Sequence, residues 1–394
     1  MPRPLAAVFL LLCATSAAAQ TVPPFVVQSD DGDNRLQLGA LVQADGRFAI
    51  DDPQDRVVDT FMLRRLRAIV QGRVARHFDF YVNIDFAGGS VNIRDAYVDT
   101  TFSPAFRIRA GKAKAPFSYD RLILAANTLM GERGLTSTVA PDRDIGVQLL
   151  GDLAGARVSY AVALTNGVID GGSADADTND AKDLTARIVV HPWSGSPQHP
   201  LSGLGLAVAG NTGTHGPALP SFASASRETY FSYNGAVEQG RRARWSPQAF
   251  YYRGPFGGYA EFVRSRGDIA KSGAAGDIDH DAWQVVASWV LTGEPASERT
   301  VRPKVDFDPP GGHYGALQLV ARVERLAVSR EAISRGLESP GSSRTADAWT
   351  TGLDWYLNPY VKWLFGFTRT IFDGDASGPR HAENLIVARA QLAF

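Results

Sequence analysis

Phe78-Asp79-Phe80-Tyr81-Val82-Asn83-Ile84-Asp85-Phe86 decides the fold of this chain. Phe78, Phe80, Val82, Ile84 and Phe86 fall on one face and Asp79, Asn83 and Asp85 on the other, the period of a β-strand with one apolar side. The pattern recurs along the sequence. Trp283, Val285, Ala287, Trp289 and Leu291 oppose Gln284 and Ser288, and Arg65, Arg67, Gln71 and Arg73 oppose Leu66, Ala68, Val70 and Val74. At the end of the chain Ile386, Ala388, Ala390, Leu392 and Phe394 oppose Arg389 and Gln391. Helical periodicity is scarce, so the chain is all-β.

Alternation alone fits a soluble sandwich or a lipid-facing barrel. The connections separate the two. Tight ones centre on Arg76-His77, Ser103-Pro104, Leu153-Ala154, Gly254-Pro255 and Asn358-Pro359. They alternate with long ones over 49–60, 115–143, 167–181, 213–243, 268–280, 327–345 and 373–381, an asymmetry that bacterial barrels show between periplasmic turns and external loops. Aromatic residues crowd the short turns, among them Phe102, Phe106, Phe256, Trp355 and Trp363, as a membrane-interface girdle does. Seventeen segments carry the alternation, Glu228 to Glu238 among them. Assigning that segment to the preceding loop gives an even count, as barrels require. The expectation is a 16-stranded antiparallel transmembrane β-barrel from near Leu36 to Phe394, although 192–202 and 293–312 are long for the short-turn side.

Composition agrees. The 394 residues are 44% hydrophobic and 21% charged, with a mean hydropathy of -0.13 that excludes a bundle of spanning helices. Ten per cent aromatics and a net charge of -1 exclude a disordered chain and give no reason to expect nucleic acid. Arg3, the apolar run Leu5 to Ala14 and Ala17-Ala18-Ala19 read as a signal peptide over 1–19, leaving 20–394 as one barrel. The single cysteine, Cys13, falls inside that leader, so disulfides and thiol chemistry are excluded from the exported chain.

Sixteen strands leave an aqueous interior, and inward-facing cations favour anions. Of the 40 basic residues, 34 are Arg, and they cluster. Segment 61–76 carries Arg64, Arg65, Arg67, Arg73 and Arg76 without an acid, and segment 104–143 carries Arg107, Arg109, Lys112, Lys114, Arg121, Arg133 and Arg143. Pairing with the acids of neighbouring strands, such as Asp79 and Asp85, is the competing account of these charges. Alternation puts Arg107, Arg109 and Gly111 on one face and Lys112 and Lys114 on the other; either Gly111 bulges or the lysines belong to the following loop. Enzyme signatures are missing: Gly111-Lys112 is not followed by Ser or Thr, and no G-x-S-x-G or H-E-x-x-H occurs. His191 and His199 read as solvent-exposed, and the Asp-rich stretch 170–183 as a solvated external loop. No cofactor or metal is expected.

Three runs carry a family resemblance: Arg109-Ala110-Gly111-Lys112-Ala113-Lys114-Ala115-Pro116-Phe117, Glu132-Arg133-Gly134-Leu135 and Pro141-Asp142-Arg143-Asp144-Ile145-Gly146-Val147-Gln148-Leu149. With Leu63-Arg64-Arg65-Leu66-Arg67, Asp95-Ala96-Tyr97-Val98-Asp99 and Trp355-Tyr356-Leu357-Asn358-Pro359, they make the chain similar to the phosphate-selective porins of O and P type. The resemblance implies a homotrimer of barrels in the bacterial outer membrane, an inward-folded third loop at about 115–143 and an arginine ladder. Arg65, Arg67 and Arg73 become ladder candidates, and Lys112, Lys114, Arg121, Arg133 and Arg143 lie in or beside the third loop. The terminal Phe394 resembles an outer-membrane assembly signal. Ala113 stands where the family often has an aromatic, and Ser118-Tyr119-Asp120 where a Gly-containing turn and Glu are usual, so anion preference carries over better than phosphate selectivity. The function expected is passive diffusion of small inorganic anions, phosphate or a related oxyanion foremost, through an Arg/Lys-lined pore, with no catalysis. A general porin with weak anion bias is the alternative within the class; a secreted soluble β-sandwich binding protein or hydrolase is the alternative outside it.

Overall fold

The computed structural model describes residues 25–53, 55–177, 179–373 and 380–394. The signal-peptide reading and Cys13 lie outside the described residues, as does most of the 373–381 loop. One half of the sheet is β1 (Arg35–Ala49), β2 (Thr60–Val74), β3 (Phe78–Asp85), β4 (Asn92–Ser103), β5 (Phe106–Lys114), β6 (Arg143–Leu153), β7 (Val158–Thr165) and β8 (Asp183–Val190). The other is β9 (Leu204–His215), β10 (Val237–Arg253), β11 (Phe256–Lys271), β12 (Ala274–Val290), β13 (Ala316–Val328), β14 (Thr345–Tyr356), β15 (Val361–Asp373) and β16 (Glu383–Ala393). Each strand pairs antiparallel with the next, and β16 pairs with β1 through Arg389↔Asp45 and Gln391↔Gln43, closing a ring of sixteen. Phe394 exchanges backbone hydrogen bonds with Ala40, so the last residue belongs to the ladder. Closure leaves no unpaired edge, a condition for crossing a bilayer with strands.

The outward face is apolar. Leu319, Val323, Phe365 and Ile386 stand exposed on it, and Gln284, Gln318, Arg322 and Arg389 are buried on the other. Aromatics mark the short-turn end, where Phe256 stacks on Trp289 and Phe102 meets Phe106. Further from the short turns Trp245 packs on Phe262 and Trp349 on Phe367, a second belt with Val285 between the belts on β12. No helix is long and apolar enough to cross a membrane among the described residues.

Two segments depart from the sequence reading. The stretch 268–280 is no long loop: β11 and β12 continue through it to a two-residue turn at Ser272-Gly273. Both turn residues have positive φ (51° and 83°), the mirror-image turn that matches strand twist and suits glycine. The segment from Glu228 lies in the loop as expected, 229–231 pairing with 222–223 in a ribbon within the fifth loop on that side (216–236), but the barrel strand begins at Val237 rather than after 243.

The interior is unequally filled. Phe117, Leu135 and Val139 from the segment after β5 pack with Phe222, Tyr230 and Phe231 of the fifth loop and Leu337 of the 329–344 connection. They meet Val263, Ile269, Ile278, Leu326 and Phe372 on the inner faces of β11, β12, β13 and β15. Below, the connection 291–315 contributes Ala296 and Val301 to a cluster with Val290 and Tyr356. The fourth loop (166–182) is drawn in as well: Asp170 accepts hydrogen bonds from Arg242, Arg244, Ser265 and His280 at 2.7–2.9 Å. Asp170 and Asp183 are therefore buried, contrary to a uniformly solvated reading of 170–183, because two inward arginines on β10 supply the charge they need.

Val285→Arg on the lipid face is expected to destabilise the barrel by about 2–4 kcal/mol, read by urea unfolding in liposomes. Arginine at Ser288, on the buried face near the turn end, is the control for a lumenal insertion.

Candidate functional site

Residues 115–142, the third connection on the long-loop side, are fastened to the inner wall by their backbone. Gln43 donates to Ala125 O (3.2 Å), Gln391 to Ala126 O (2.9 Å) and Lys362 to Thr128 O (3.0 Å). Arg389 donates to Gly131 O (2.7 Å) and Arg322 to Glu132 O (3.0 Å). Each donor is an inward side chain of β1, β13, β15 or β16, so carbonyls that no secondary structure satisfies are satisfied by the wall. The start of the loop is gripped by one carboxylate. Glu261 on β11 accepts from Tyr119 N (2.8 Å), Ser118 Oγ (3.1 Å) and Thr136 Oγ1 (3.1 Å), and Glu324 accepts from Leu135 N (2.6 Å).

Between this loop and the wall formed by β1 to β8 lie two chambers. The one at the long-loop end, about 510 Å³, is lined by Arg64, Arg65, Arg67, Arg94, Arg121, Arg133, Arg143 and Arg227 against Asp85, Glu132, Asp142 and Glu324. The one at the short-turn end, about 720 Å³, has Arg67, Arg107, Arg109, Lys114, Arg143 and Arg187 against Asp95 and Asp152. Arg67, Arg143 and Ala125 line both, so the chambers abut there. Cations outnumber carboxylates in each.

Many of these cations are paired. Arg67 meets Asp85 at 2.7 Å, Arg64 meets Glu132 at 2.8 Å, and Arg109 meets Asp99 at 2.7 Å. Asp142 gathers Arg94, Arg121 and Arg143 at 2.9–3.3 Å. Arg65 differs: it donates to Gln43 Oε1 (2.5 Å) and has no carboxylate within ion-pair distance among the described residues. Lys114 likewise spends its ammonium on the carbonyls of Leu122 (3.1 Å) and Ile123 (2.9 Å), and Arg187 its guanidinium on Gln248. None of the three has a carboxylate within ion-pair distance among the described residues, so direct pairing does not account for them, and Glu132 acts on Arg65, and Asp142 and Asp95 on Lys114, only from further off.

Of the residues picked from sequence, Arg65, Arg67, Arg107, Arg109, Lys114, Arg121, Arg133 and Arg143 line one chamber or both. Arg73 does not: it pairs with Asp79 at 2.8 Å near the short-turn rim, half exposed. Lys112 lines neither chamber and is held by Asp175 of the fourth loop. Gly111, at φ 127°, stays within the regular β5–β6 register, and both lysines are the last part of the strand. Its Cβ-less backbone is required, since a Cβ would sit 2.2 Å from Ala96 O.

Alternation missed Arg64 and Arg94. Bulges put both inside: Arg64 is the extra residue opposite Gln43/Ala44, and Arg94 the extra residue opposite Asn83/Ile84. Arg187 was available from the alternation of β8, whereas Arg227 comes from a loop and left no signal.

Burial opposes ionisation of Glu132 and Asp142, yet the facing arginines (Arg64, Arg65 and Arg47 for Glu132; Arg121, Arg143 and Arg94 for Asp142) hold both carboxyls well below the usual carboxylate range. A depressed folded pKa stabilises the loop above the unfolded value of about 4 and is lost only as pH falls through the folded one. Open-channel conductance is thus expected to be level from pH 8 to pH 5, with acid-induced noise below about pH 4. Glu261→Ala strands three buried donors at about 1–3 kcal/mol each and is expected to raise both conductance and its fluctuation in single-channel recordings.

Comparison with solved structures gives the same architecture at low identity. An OmpT outer membrane protein of Vibrio cholerae aligns over 94% of this chain and 99% of its own, with a TM-score of 0.60 and 11% identity. The outer membrane channel DcaP of Acinetobacter baumannii gives 0.59 and 12% over 93% and 99% of the two chains. Salmonella typhi OmpF, solved with daunomycin, gives 0.56 and 11% over 93% and 100%. No curated protein sequence matches the chain. The model of the family described as phosphate-selective porin O and P, however, matches residues 37–394. The closed barrel with its basic interior is therefore an outer-membrane channel, and the chain belongs to the phosphate-selective porin O and P family.

Proposed function

We propose that the channel passes small inorganic anions by diffusion, with phosphate or a related oxyanion as its leading solute and no catalytic step. The observation that carries this reading is the cationic excess of both chambers, in which Arg65 and Lys114 have no carboxylate within ion-pair distance among the described residues. An ion entering from the long-loop end exchanges hydration for charge-assisted hydrogen bonds with Arg65 and Arg67, passes Arg143 and Ala125, and is handed to Lys114, Arg107 and Arg109. The pairing of Arg67 with Asp85 and of Arg109 with Asp99 weakens each station, which lets the ion leave again. Segment 115–142 acts as the constriction, its position supported by the hydrogen bonds from β1, β13, β15 and β16. The chain starts at a cleaved leader and works as a homotrimer in the outer membrane, in line with a neighbour solved in trimer form, the OmpT of Vibrio cholerae.

Planar-bilayer recordings in a KCl gradient test the charge reading, and a cation-selective reversal potential overturns it. Arg65→Ala is expected to raise the phosphate concentration that halves chloride current by about tenfold, the loss of one charge-assisted contact, while Lys271→Ala at the far hairpin leaves it unchanged. Unheated gel migration of the detergent-extracted protein checks the trimer: a single monomer band refutes it.

A further inference from the structure

The larger chamber has two unlike walls. The third loop turns its backbone carbonyls at Ala125 and Ala126 to Gln43 and Gln391, so what it presents to the chamber is mainly apolar, Pro116, Leu122, Leu124, Ala125 and Ala126, with Asn127 its polar member and that amide's oxygen taken by Thr300. Leu124 is 57% exposed although it lies inside the barrel and touches no lipid. The barrel wall carries Arg67, Arg107 and Arg109, together with Tyr81 and Tyr97, whose rings stack at 5.5 Å. The hydroxyls of these two tyrosines make no hydrogen bond among the described residues. A bare oxyanion gains nothing from such a loop face, since an apolar side chain left in water returns free energy only when an apolar surface covers it.

We infer that the short-turn chamber is a binding station for amphipathic organic anions, whose carboxylate or phosphate engages Arg107 and Arg109 while an apolar body the size of a phenyl ring covers Leu122 and Leu124. The two tyrosine hydroxyls offer donors to the same head group, and the volume of about 720 Å³ is that of a small-molecule site. The inference rests on the anion-channel reading and adds the class of solute.

The test titrates open channels in KCl with phenyl phosphate and with methyl phosphate, which share a head group and differ in the body. Phenyl phosphate is expected to halve the chloride current at about fivefold lower concentration, the gain from covering part of a leucine side chain. Leu124→Ser should bring the two concentrations together, methyl phosphate block measured in the same channels being the reference for each. Leu124→Phe should widen the gap. Equal block by the two compounds in the unaltered channel, or a gap that survives Leu124→Ser, overturns the proposal while anion selectivity stands. A cation-selective reversal potential instead removes the reading beneath it.

Discussion

The ring of backbone hydrogen bonds is the constraint on which everything else depends. In hydrocarbon an unmet N–H or C=O costs several kcal/mol, so a sheet crosses a membrane only if its last strand finds its first. Here that join runs through Arg389↔Asp45 and ends with Phe394 bonded to Ala40. The join carries charge as well as register. Arg389 meets Asp45 at 2.6 Å across it and reaches on to Gly131 O, so closing the barrel also supplies an anchor for the third loop.

That economy recurs across the interior. Donors on β1, β13, β15 and β16 hold the loop's carbonyls, while apolar side chains on β11 to β15 pack its flank against two further loops. One half of the lumen becomes a solid core and the other stays wet. The wet half is where the arginines stand, so packing decides where ions go and charge decides which ions. Buried carboxylates such as Glu132 and Asp142 are tolerated because several arginines face each of them, and the surplus of arginine over acid remains to meet solute.

Much of this was legible in the sequence. Alternation along 78–86, 283–291 and 386–394 determined which side faces lipid, and the rhythm of short and long connections determined the count. The third loop's basic neighbours could be named because β5 keeps its period up to Gly111. Three things were not legible. Bulges at Arg64 and Arg94 break the period by one residue, and nothing local in the sequence announces them. The hairpin at Ser272-Gly273 hid in the stretch 268–280, read as loop; its Asp268, Asp277 and Asp279 sit instead on strands above the upper aromatic belt, the last two facing Arg266. The fate of Lys112 and Asp170 depends on contacts with chain 60 to 110 residues away, which periodicity does not encode.

The bulge opposite Gln43 and Ala44 doubles the charge that one stretch of strand turns to the pore. On a regular strand two neighbouring side chains face opposite media, so adding a pore charge means sacrificing a position already committed to the pore. A one-residue insertion escapes that trade: Arg64 and Arg65 both face water while Leu63 and Leu66 keep the lipid surface unbroken. A one-residue bulge is thus the local change that adds a pore-facing charge without removing a lipid-facing side chain.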